Sequence, residues 1–120
     1  MKLISTLLIL SFICSCQTDN SNSFDDILGS SSIDPNNPNL VKAYAVIEER
    51  CIDCHSGYHN SWSAYDTDEK WIASGNVTAG IIGDSPLIMR LKNRGSNMPL
   101  GGANLTEDEY NALVTWIEGL

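Results

Sequence analysis

The sequence of 120 residues predicts a single all-α domain, and three observations lead to this fold class. From residue 40 onward, apolar residues recur at spacings of three and four, as they do along one face of a helix. Residue types that favour the start and the end of helices bound each of these segments. No segment shows the alternation of apolar and polar residues that is typical of a half-buried strand.

The first predicted helix occupies the stretch NLVKAYAVIEERC, directly after Pro38. Asn39 is a residue type that caps helix N-termini, so we expect the helical pattern to begin at Leu40. The helix then runs directly into Cys51. Its apolar face consists of four residues at helical spacing: Leu40, Ala43, Tyr44 and Ile47.

The second predicted helix is short and lies in the stretch DTDEKWIASG. Asp66 and Glu69 have the spacing of a capping box, in which two side chains satisfy the first free N–H groups of a helix. Gly75 is expected to end the helix, because glycine readily adopts the backbone conformation that follows a helix C-terminus.

A third helix is predicted in the stretch DSPLIMRLKNRG. We expect Ser85 to cap it, Pro86 to occupy its first position and Gly95 to follow its end. The apolar stripe of this helix is formed by Leu87, Ile88 and Leu91.

The last predicted helix, in LTEDEYNALVTWIEGL, has the clearest signals. Thr106 and Glu109 form a second capping-box pair. Three acidic residues fall in the first turn, where the positive end of the helix dipole stabilises them. Its apolar face is formed by Tyr110, Leu113, Val114 and Ile117.

Residues 1–15 are interpreted as a secretory signal peptide. Lys2 is followed by an apolar run of eleven residues and then by small residues, which is the order found in such signals. Eleven helical residues at about 1.5 Å each are too short to cross a hydrocarbon layer roughly 30 Å thick. A buried helix of the domain is the alternative, and the polar tract that follows argues against it.

The end of this segment, ICSC, resembles the lipobox of bacterial lipoproteins. Ile13 is its aliphatic residue, Ser15 its small residue, and Cys16 the cysteine that receives the lipid. The resemblance implies a mature chain that begins at Cys16 and is anchored to a membrane by several acyl chains. Two or more acyl chains anchor a protein stably, whereas one does so only marginally.

Residues 16–39 are expected to form the lipidated N-terminus and a flexible tether, followed by a domain at residues 40–120. The tract 17–39 is dominated by Ser, Asn and Asp and contains two prolines. It cannot bury enough apolar surface to offset the entropy lost on ordering. As a coil it would reach about 25–30 Å.

The chain is acidic, with 7 basic and 15 acidic residues and a formal net charge of −8. A nucleic-acid-binding domain needs a basic face, so we expect no nucleic-acid partner.

The residues that carry chemistry stand in the stretch RCIDCHSGYHNS. Cys51 and Cys54 are separated by two residues, and His55 follows at once. This is the signature of c-type haem attachment. The two thiols add to the haem vinyl groups as thioethers, and the adjacent imidazole becomes the proximal ligand of the iron.

Other chemistries also use a pair of cysteines at this spacing. A structural zinc site needs four ligands, and the chain has no second CxxC pair and only one further histidine, His59. A thioredoxin-like site expects a βαβ setting, which the sequence does not show. A disulfide between Cys51 and Cys54 in an oxidising compartment stays open. His59, four residues beyond His55, is interpreted as a solvated loop residue.

Met98 is the candidate for the sixth ligand of a haem iron. It lies in the loop GSNMPLGG, after an expected helix end and directly before Pro99. Met1 starts the chain and Met89 falls in a predicted helix, so Met98 is the best thioether candidate of the three methionines. A His/Met ligand pair raises the haem potential relative to harder ligand sets.

Two further groups of residues have both a structural and a functional interpretation. A tryptophan indole N–H is a candidate donor to a haem propionate, although the aromatic residues are most often part of a core. Arg90, Lys92 and Arg94 form either a solvated helix face or a docking patch near the haem edge. The aromatic residues expected in the core are Tyr44, Trp62, Tyr65, Trp71 and Trp116.

Over about residues 40–120, the sequence resembles the class I c-type cytochromes. The resemblance rests on the first helix, the CxxCH motif, the NMP loop and the acidic-capped last helix. In that family the first and last helices pack against each other around a covalently attached haem. Ala43 and Ile47 occupy positions that usually lie at this helix crossing. The C-terminal part is also similar to small bacterial lipoproteins and to terminal domains of larger oxidoreductases.

The resemblance implies one haem c per chain, thioethers at Cys51 and Cys54, and His55 and Met98 as the axial ligands. It implies an electron carrier rather than an enzyme, working with redox proteins in the periplasm or at the cell surface. Many members carry Gly-Pro after the motif, where a carbonyl bonds the proximal imidazole. This chain has SGYHNSWSAY there instead, so the resemblance does not say which group orients His55.

Two other functions stay open from the sequence. A haem protein with a labile sixth position would bind gases or act like a peroxidase, and the chain offers no obvious distal base beyond His59. A haem-free interaction module would instead hold the CxxC pair as a disulfide. Because a domain of ~80 residues buries only a modest core, we also expect the haem-free chain to be largely disordered.

Overall fold

The computed structural model describes residues 33–57 and 61–120, and everything below refers to these two stretches. The predictions for the signal peptide, for Cys16, for the tether up to residue 32 and for His59 lie outside them.

Helices are the only regular elements in the described stretches, which contain no β-strand. The all-α prediction is therefore confirmed for this part of the chain. None of its helices is both long enough and apolar enough to span a membrane. The α-helices are α1 (Pro38–Arg50), α2 (Asp68–Ala73), α3 (Pro86–Met89) and α4 (Glu107–Glu118), and short 3-10 turns lie at Trp62–Ala64, Ile82–Asp84 and Lys92–Arg94.

Helix α1 begins at Pro38, two residues before the predicted start. Asn37, and not Asn39, caps it: its side-chain oxygen accepts a hydrogen bond from the Leu40 N–H at 3.2 Å. Proline is favoured at the first helical position because the N–H that it lacks would have no partner there. Ahead of the cap, the side chain of Ile33 is buried.

Helix α2 is capped by Thr67, so the prediction of Asp66 as the cap was wrong. The Thr67 hydroxyl accepts from the Lys70 N–H at 3.3 Å. The Asp66 carboxylate instead forms an ion pair with the Lys70 ammonium at 2.6 Å. Gly75 follows the helix with a φ of +75°, which confirms its predicted role at the helix end.

The third predicted helix is broken into two pieces, α3 and the 3-10 turn Lys92–Arg94, with Leu91 extended between them. Ser85 does not cap α3 with its side chain, because its hydroxyl is already used in the preceding loop. There it donates to the Ile81 carbonyl at 2.8 Å and accepts from the Thr78 N–H at 2.9 Å. Pro86 occupies the first position of α3, as predicted.

Helix α4 begins as predicted. The Thr106 hydroxyl accepts from the Glu109 N–H at 3.3 Å, and the Glu109 carboxylate accepts from the Thr106 N–H at 2.7 Å. Both halves of the capping box are therefore present.

The core is organised by the packing of α1 against α4. Ala43 and Ile47, on the apolar face of α1, are both completely buried. The end of α1 meets the first turn of α4 through Arg50 and Glu109, whose Nε and Oε1 atoms are 3.6 Å apart. The first and last helices thus form the central pair of the domain.

Asp68, the first residue of α2, links the ends of all three longer helices. Its carboxylate accepts from the side-chain amide of Asn37 and from the indole N–H of Trp116, both at 2.8 Å. One partner is the cap of α1 and the other is a completely buried residue of α4. Hydrogen bonds to a charged group are stronger than neutral ones, so this junction contributes to the stability of the helix arrangement.

We expect Asp68→Ala to lower the free energy of unfolding by about 2–3 kcal/mol, because it leaves the buried Trp116 N–H without its acceptor. Denaturant unfolding of the purified, fully matured protein measures the change. Asp66→Ala is the matched control, since its ion pair with Lys70 is exposed and should contribute less than about 1 kcal/mol. Equal stability of the two variants would contradict the role given to Asp68.

Candidate functional site

The CxxCH motif forms a tight turn directly at the end of α1. Cys51 is the C-terminal cap of the helix, and its N–H donates to the Ile47 carbonyl at 2.9 Å. The chain then turns back, and the backbone N–H of His55 donates to the carbonyls of Cys51 and Ile52, both at 3.0 Å. This places both thiols and the imidazole within a single turn of chain. Cys51 and His55 are half-buried, and Cys54 is exposed.

Both cysteines of the motif are free thiols in the structure. Burial raises the pKa of the Cys51 thiol to about 11; Arg50 lowers it in part, and Cys54 and Glu109 raise it further. Redox-active CxxC pairs depend on the opposite shift, because the thiolate is the reactive form. A Cys51 that stays protonated at neutral pH therefore does not favour a thiol–disulfide exchange site.

The imidazole of His55 is stacked on the indole of Trp62. The ring centroids are 4.0 Å apart and the planes are inclined by 14°. The chain returns to the motif at this point: the backbone N–H of Trp62 donates to the His55 carbonyl at 3.0 Å, and Ser56 and Ser61 form an isolated bridge. The Trp62 indole therefore packs on the imidazole of His55.

A cluster of aromatic rings extends from this stack into the core. Trp71 lies at its centre and packs edge to face on its three neighbours, with centroid distances of 5.4, 5.0 and 5.7 Å to Trp62, Tyr65 and Trp116. The prediction that these residues belong to the core is confirmed for Tyr44 and the three tryptophans, whereas Tyr65 is half-buried.

The three indole N–H groups of the cluster differ in their hydrogen bonds. The Trp116 N–H is used by Asp68. The N–H groups of Trp62 and Trp71 are buried and have no hydrogen-bond partner in the described part of the chain. A buried donor without a partner costs about 1–3 kcal/mol, so these two groups mark a place suited to an acceptor. The sequence does not predict which indole N–H groups lack an acceptor, and in the structure they are those of Trp62 and Trp71.

Met98 is held by its backbone beside the broken third helix. Its N–H donates to the Arg90 carbonyl at 2.9 Å, and its carbonyl accepts from the Lys92 N–H at 2.7 Å. These bonds form an isolated parallel bridge between Met98 and Leu91, which explains why Leu91 leaves the helix. The thioether is thus carried by a fixed, half-buried position of the loop.

The loop that follows Met98 is attached to the rest of the domain by three side chains. The Arg50 guanidinium donates to the carbonyls of Ala103 at 3.3 Å and Asn104 at 3.2 Å, and the Lys92 ammonium donates to the Gly102 carbonyl. The third is Asn93, which pairs with the backbone of Leu105. The sequence does not predict these contacts, because no local pattern indicates which loop a polar side chain reaches.

Arg50 connects the two parts of the candidate site. It precedes Cys51 directly and reaches the loop that carries Met98. Its Nε is buried without a hydrogen bond, since 3.6 Å to Glu109 is an ion-pair distance and too long for a hydrogen bond. Of the three residues of the predicted basic patch, Arg90 and Arg94 are exposed, while Lys92 is bonded to Gly102.

Among the residues that the structure describes, no group of three or more His, Cys, Asp or Glu side chains is arranged to hold a metal ion. A haem iron needs fewer protein ligands than a metal ion held by side chains alone, because the porphyrin supplies four nitrogen ligands and the chain only the axial ones. Comparisons with protein-family models, curated proteins and solved structures found no match to this chain.

Proposed function

We propose that this chain is a mono-haem c-type cytochrome that carries single electrons between redox proteins. The observation that supports this most strongly is the turn at the end of α1, which places two free thiols and an imidazole together. The packing of α1 on α4, with Ala43 and Ile47 fully buried, is the arrangement expected of a class I cytochrome fold.

The residues present fit a covalently attached haem. Cys51 is half-buried and Cys54 is exposed, and both are free thiols that can form the two thioethers. His55 can provide one axial ligand and Met98 the other, each from a backbone position fixed by hydrogen bonds. The partnerless N–H groups in the aromatic cluster offer donors to a propionate, which is an acceptor only.

When bound, a haem c supplies an iron that exchanges one electron between its ferric and ferrous states. The chain's residues decide what else can happen there. With the His55 imidazole and the Met98 thioether both bound to the iron, a substrate would find no free position on it, so we propose a carrier and not an enzyme. The thioether also raises the potential relative to harder ligands.

We propose that the carrier works at a membrane to which a lipid on Cys16 anchors it, through a tether that precedes the buried Ile33. The signal-peptide pattern of residues 1–15 and the lipobox resemblance support a location in the periplasm or at the cell surface. Arg90 and Arg94, which are exposed close to the Met98 loop in sequence, are the residues proposed to meet an acidic redox partner.

Visible spectroscopy of the matured protein during a redox titration tests the proposal. We expect one reversible one-electron step, low-spin spectra in both states, and no rapid spectral change with CO. A high-spin ferric spectrum, or an immediate shift on adding CO or cyanide, would contradict the carrier and favour a haem protein with a labile sixth position.

Trp62→Phe is expected to lower the midpoint potential by up to roughly 40 mV, the equivalent of one hydrogen bond of about 1 kcal/mol. Phenylalanine keeps the stack on His55 but removes the N–H, which leaves more negative charge on a nearby propionate and favours ferric iron. Potentiometry measures the shift. Trp116→Phe is the control, because its N–H is already used by Asp68 and its loss should change stability alone. An unchanged potential in Trp62→Phe would remove Trp62 from this role.

A further inference from the structure

We propose that Asn93 is the positioning residue of Met98: its amide clamps the far end of the Met98 loop and thereby keeps the thioether in place. This inference rests on the proposed function, because it assigns a role in holding an iron ligand. It assigns a function to a residue that neither the CxxCH motif nor the methionine loop points to.

The clamp consists of two hydrogen bonds between one side chain and one backbone position. The Asn93 Nδ2 donates to the Leu105 carbonyl at 2.9 Å, and the Asn93 Oδ1 accepts from the Leu105 N–H at 3.0 Å. The side-chain amide thus forms one donor and one acceptor hydrogen bond with a single residue, as a residue in a paired β-strand does. Leu105 itself is 4% exposed, so its backbone groups have little access to water.

The clamp closes a loop whose other end is also fixed. The N–H of Met98 is hydrogen-bonded to the Arg90 carbonyl, and its carbonyl to the N–H of Lys92, which directly precedes Asn93. Leu105 directly precedes Thr106, the cap of α4. The six residues 99–104 therefore span two anchored points, one on the segment before Met98 and one on the start of a core helix.

Burial distinguishes this clamp from the other contacts of the loop. The bonds from Arg50 and Lys92 to the loop carbonyls are exposed, where water can replace them. The Asn93 side chain is itself exposed, but its partner Leu105 is buried, whereas Gly102, Ala103 and Asn104 are exposed. Opening the loop therefore leaves the N–H and carbonyl of Leu105 without partners. We infer that breaking the clamp is the step that limits displacement of Met98 from the iron.

The clamp also requires an amide. An aspartate at position 93 can accept from the Leu105 N–H, but it has no donor and would bring a negative charge against the Leu105 carbonyl. Alanine removes both bonds. The two substitutions therefore break the clamp in different ways, one by loss of contact and one by repulsion.

Cyanide binding to the ferric haem-bound protein tests the proposal, with the sulfur-to-iron charge-transfer band near the red end of the spectrum as the readout of Met98 ligation. For Asn93→Ala we expect binding about 30-fold faster than in the parent chain, the factor that corresponds to two hydrogen bonds. Asn93→Asp should also be faster, by roughly fivefold or more for one lost bond. The band should disappear at a lower temperature in both variants.

Asn111→Ala is the matched control, since Asn111 is an exposed asparagine on α4. It should bind cyanide at the parent rate. If the parent shows the band and both Asn93 variants bind cyanide at the parent rate, the inference is overturned and the proposed function stands. If the parent itself lacks the band, Met98 is not a ligand and both fail. Should the alanine variant not fold, Asn93→Asp decides by the same rate.

Discussion

Replacing Cys51 and Cys54 together by alanine should abolish covalently bound pigment, the largest effect expected of any change to this chain. The parent protein, matured in a host with haem-attachment machinery, should keep its colour through denaturation, because thioether bonds survive the loss of the fold. The double variant has no thiol in the turn at the end of α1 and can hold haem only through its axial ligands. Haem absorbance on a denaturing gel measures the difference.

Asp53→Ala is the control for the cysteine variants, because Asp53 is an exposed residue between the two thiols. It should keep the pigment at the parent level. Each single cysteine variant should retain less pigment than the parent, since one thioether remains possible. Pigment that stays on the denatured double variant would contradict attachment at these two residues.

Met98→Ala should open the sixth coordination position, the second largest effect expected. Loss of the thioether removes the ligand that favours ferrous iron, so the midpoint potential should fall by a sizeable part of the roughly 0.8 V that axial ligands span. The ferric protein should become high-spin or take up water, lose its sulfur-to-iron band, and bind CO in the ferrous state at once. Potentiometry and optical spectra with and without CO measure these changes.

Met89→Ala is the matched control, because Met89 lies on α3 and is 50% exposed. Its potential and its spectra should equal those of the parent. If Met98→Ala keeps the sulfur-to-iron band while Met89→Ala loses it, the ligand has been assigned to the wrong methionine. If neither variant changes the spectrum, the sixth ligand is no methionine.

The sequence predicted the existence of the helices better than their ends. Periodicity is a local property, and all four residues of the predicted face of α1 are buried. On α4, Leu113 and Ile117 of the predicted face are buried, Tyr110 and Val114 are half-buried, and the buried Trp116 lay outside that face. Caps depend on more than the local residue types. Asn37 prevails over Asn39 because Pro38 favours the first helical position, and its amide also binds Asp68 of α2. Thr67 and not Asp66 caps α2, because the Asp66 carboxylate forms an ion pair with Lys70.

The broken third helix shows a limit of the same kind. Its apolar stripe is continuous in sequence, and only the pairing of Leu91 with Met98 interrupts it. That pairing joins residues seven apart across a glycine turn, and helical periodicity contains no sign of it. Ser85 was predicted as a cap by its residue type, but the backbone of the preceding loop takes its hydroxyl.

The candidate site divides in a similar way. Its thiols and imidazole are adjacent in sequence, so the CxxCH motif alone predicts that they lie together. The Asn93 clamp joins residues twelve apart, and the partnerless indoles of Trp62 and Trp71 become visible only when neighbouring contacts are known. Such features come from tertiary packing, which one sequence does not specify locally.

Intact-mass spectrometry of the parent protein, purified after expression with a haem-attachment system and then denatured, tests the central claim most directly. An iron porphyrin bonded to the chain predicts a mass gain of one haem on the mature polypeptide, in a sample that stays coloured. A colourless sample at the bare polypeptide mass, or one lighter by two hydrogens through a Cys51–Cys54 disulfide, would contradict it.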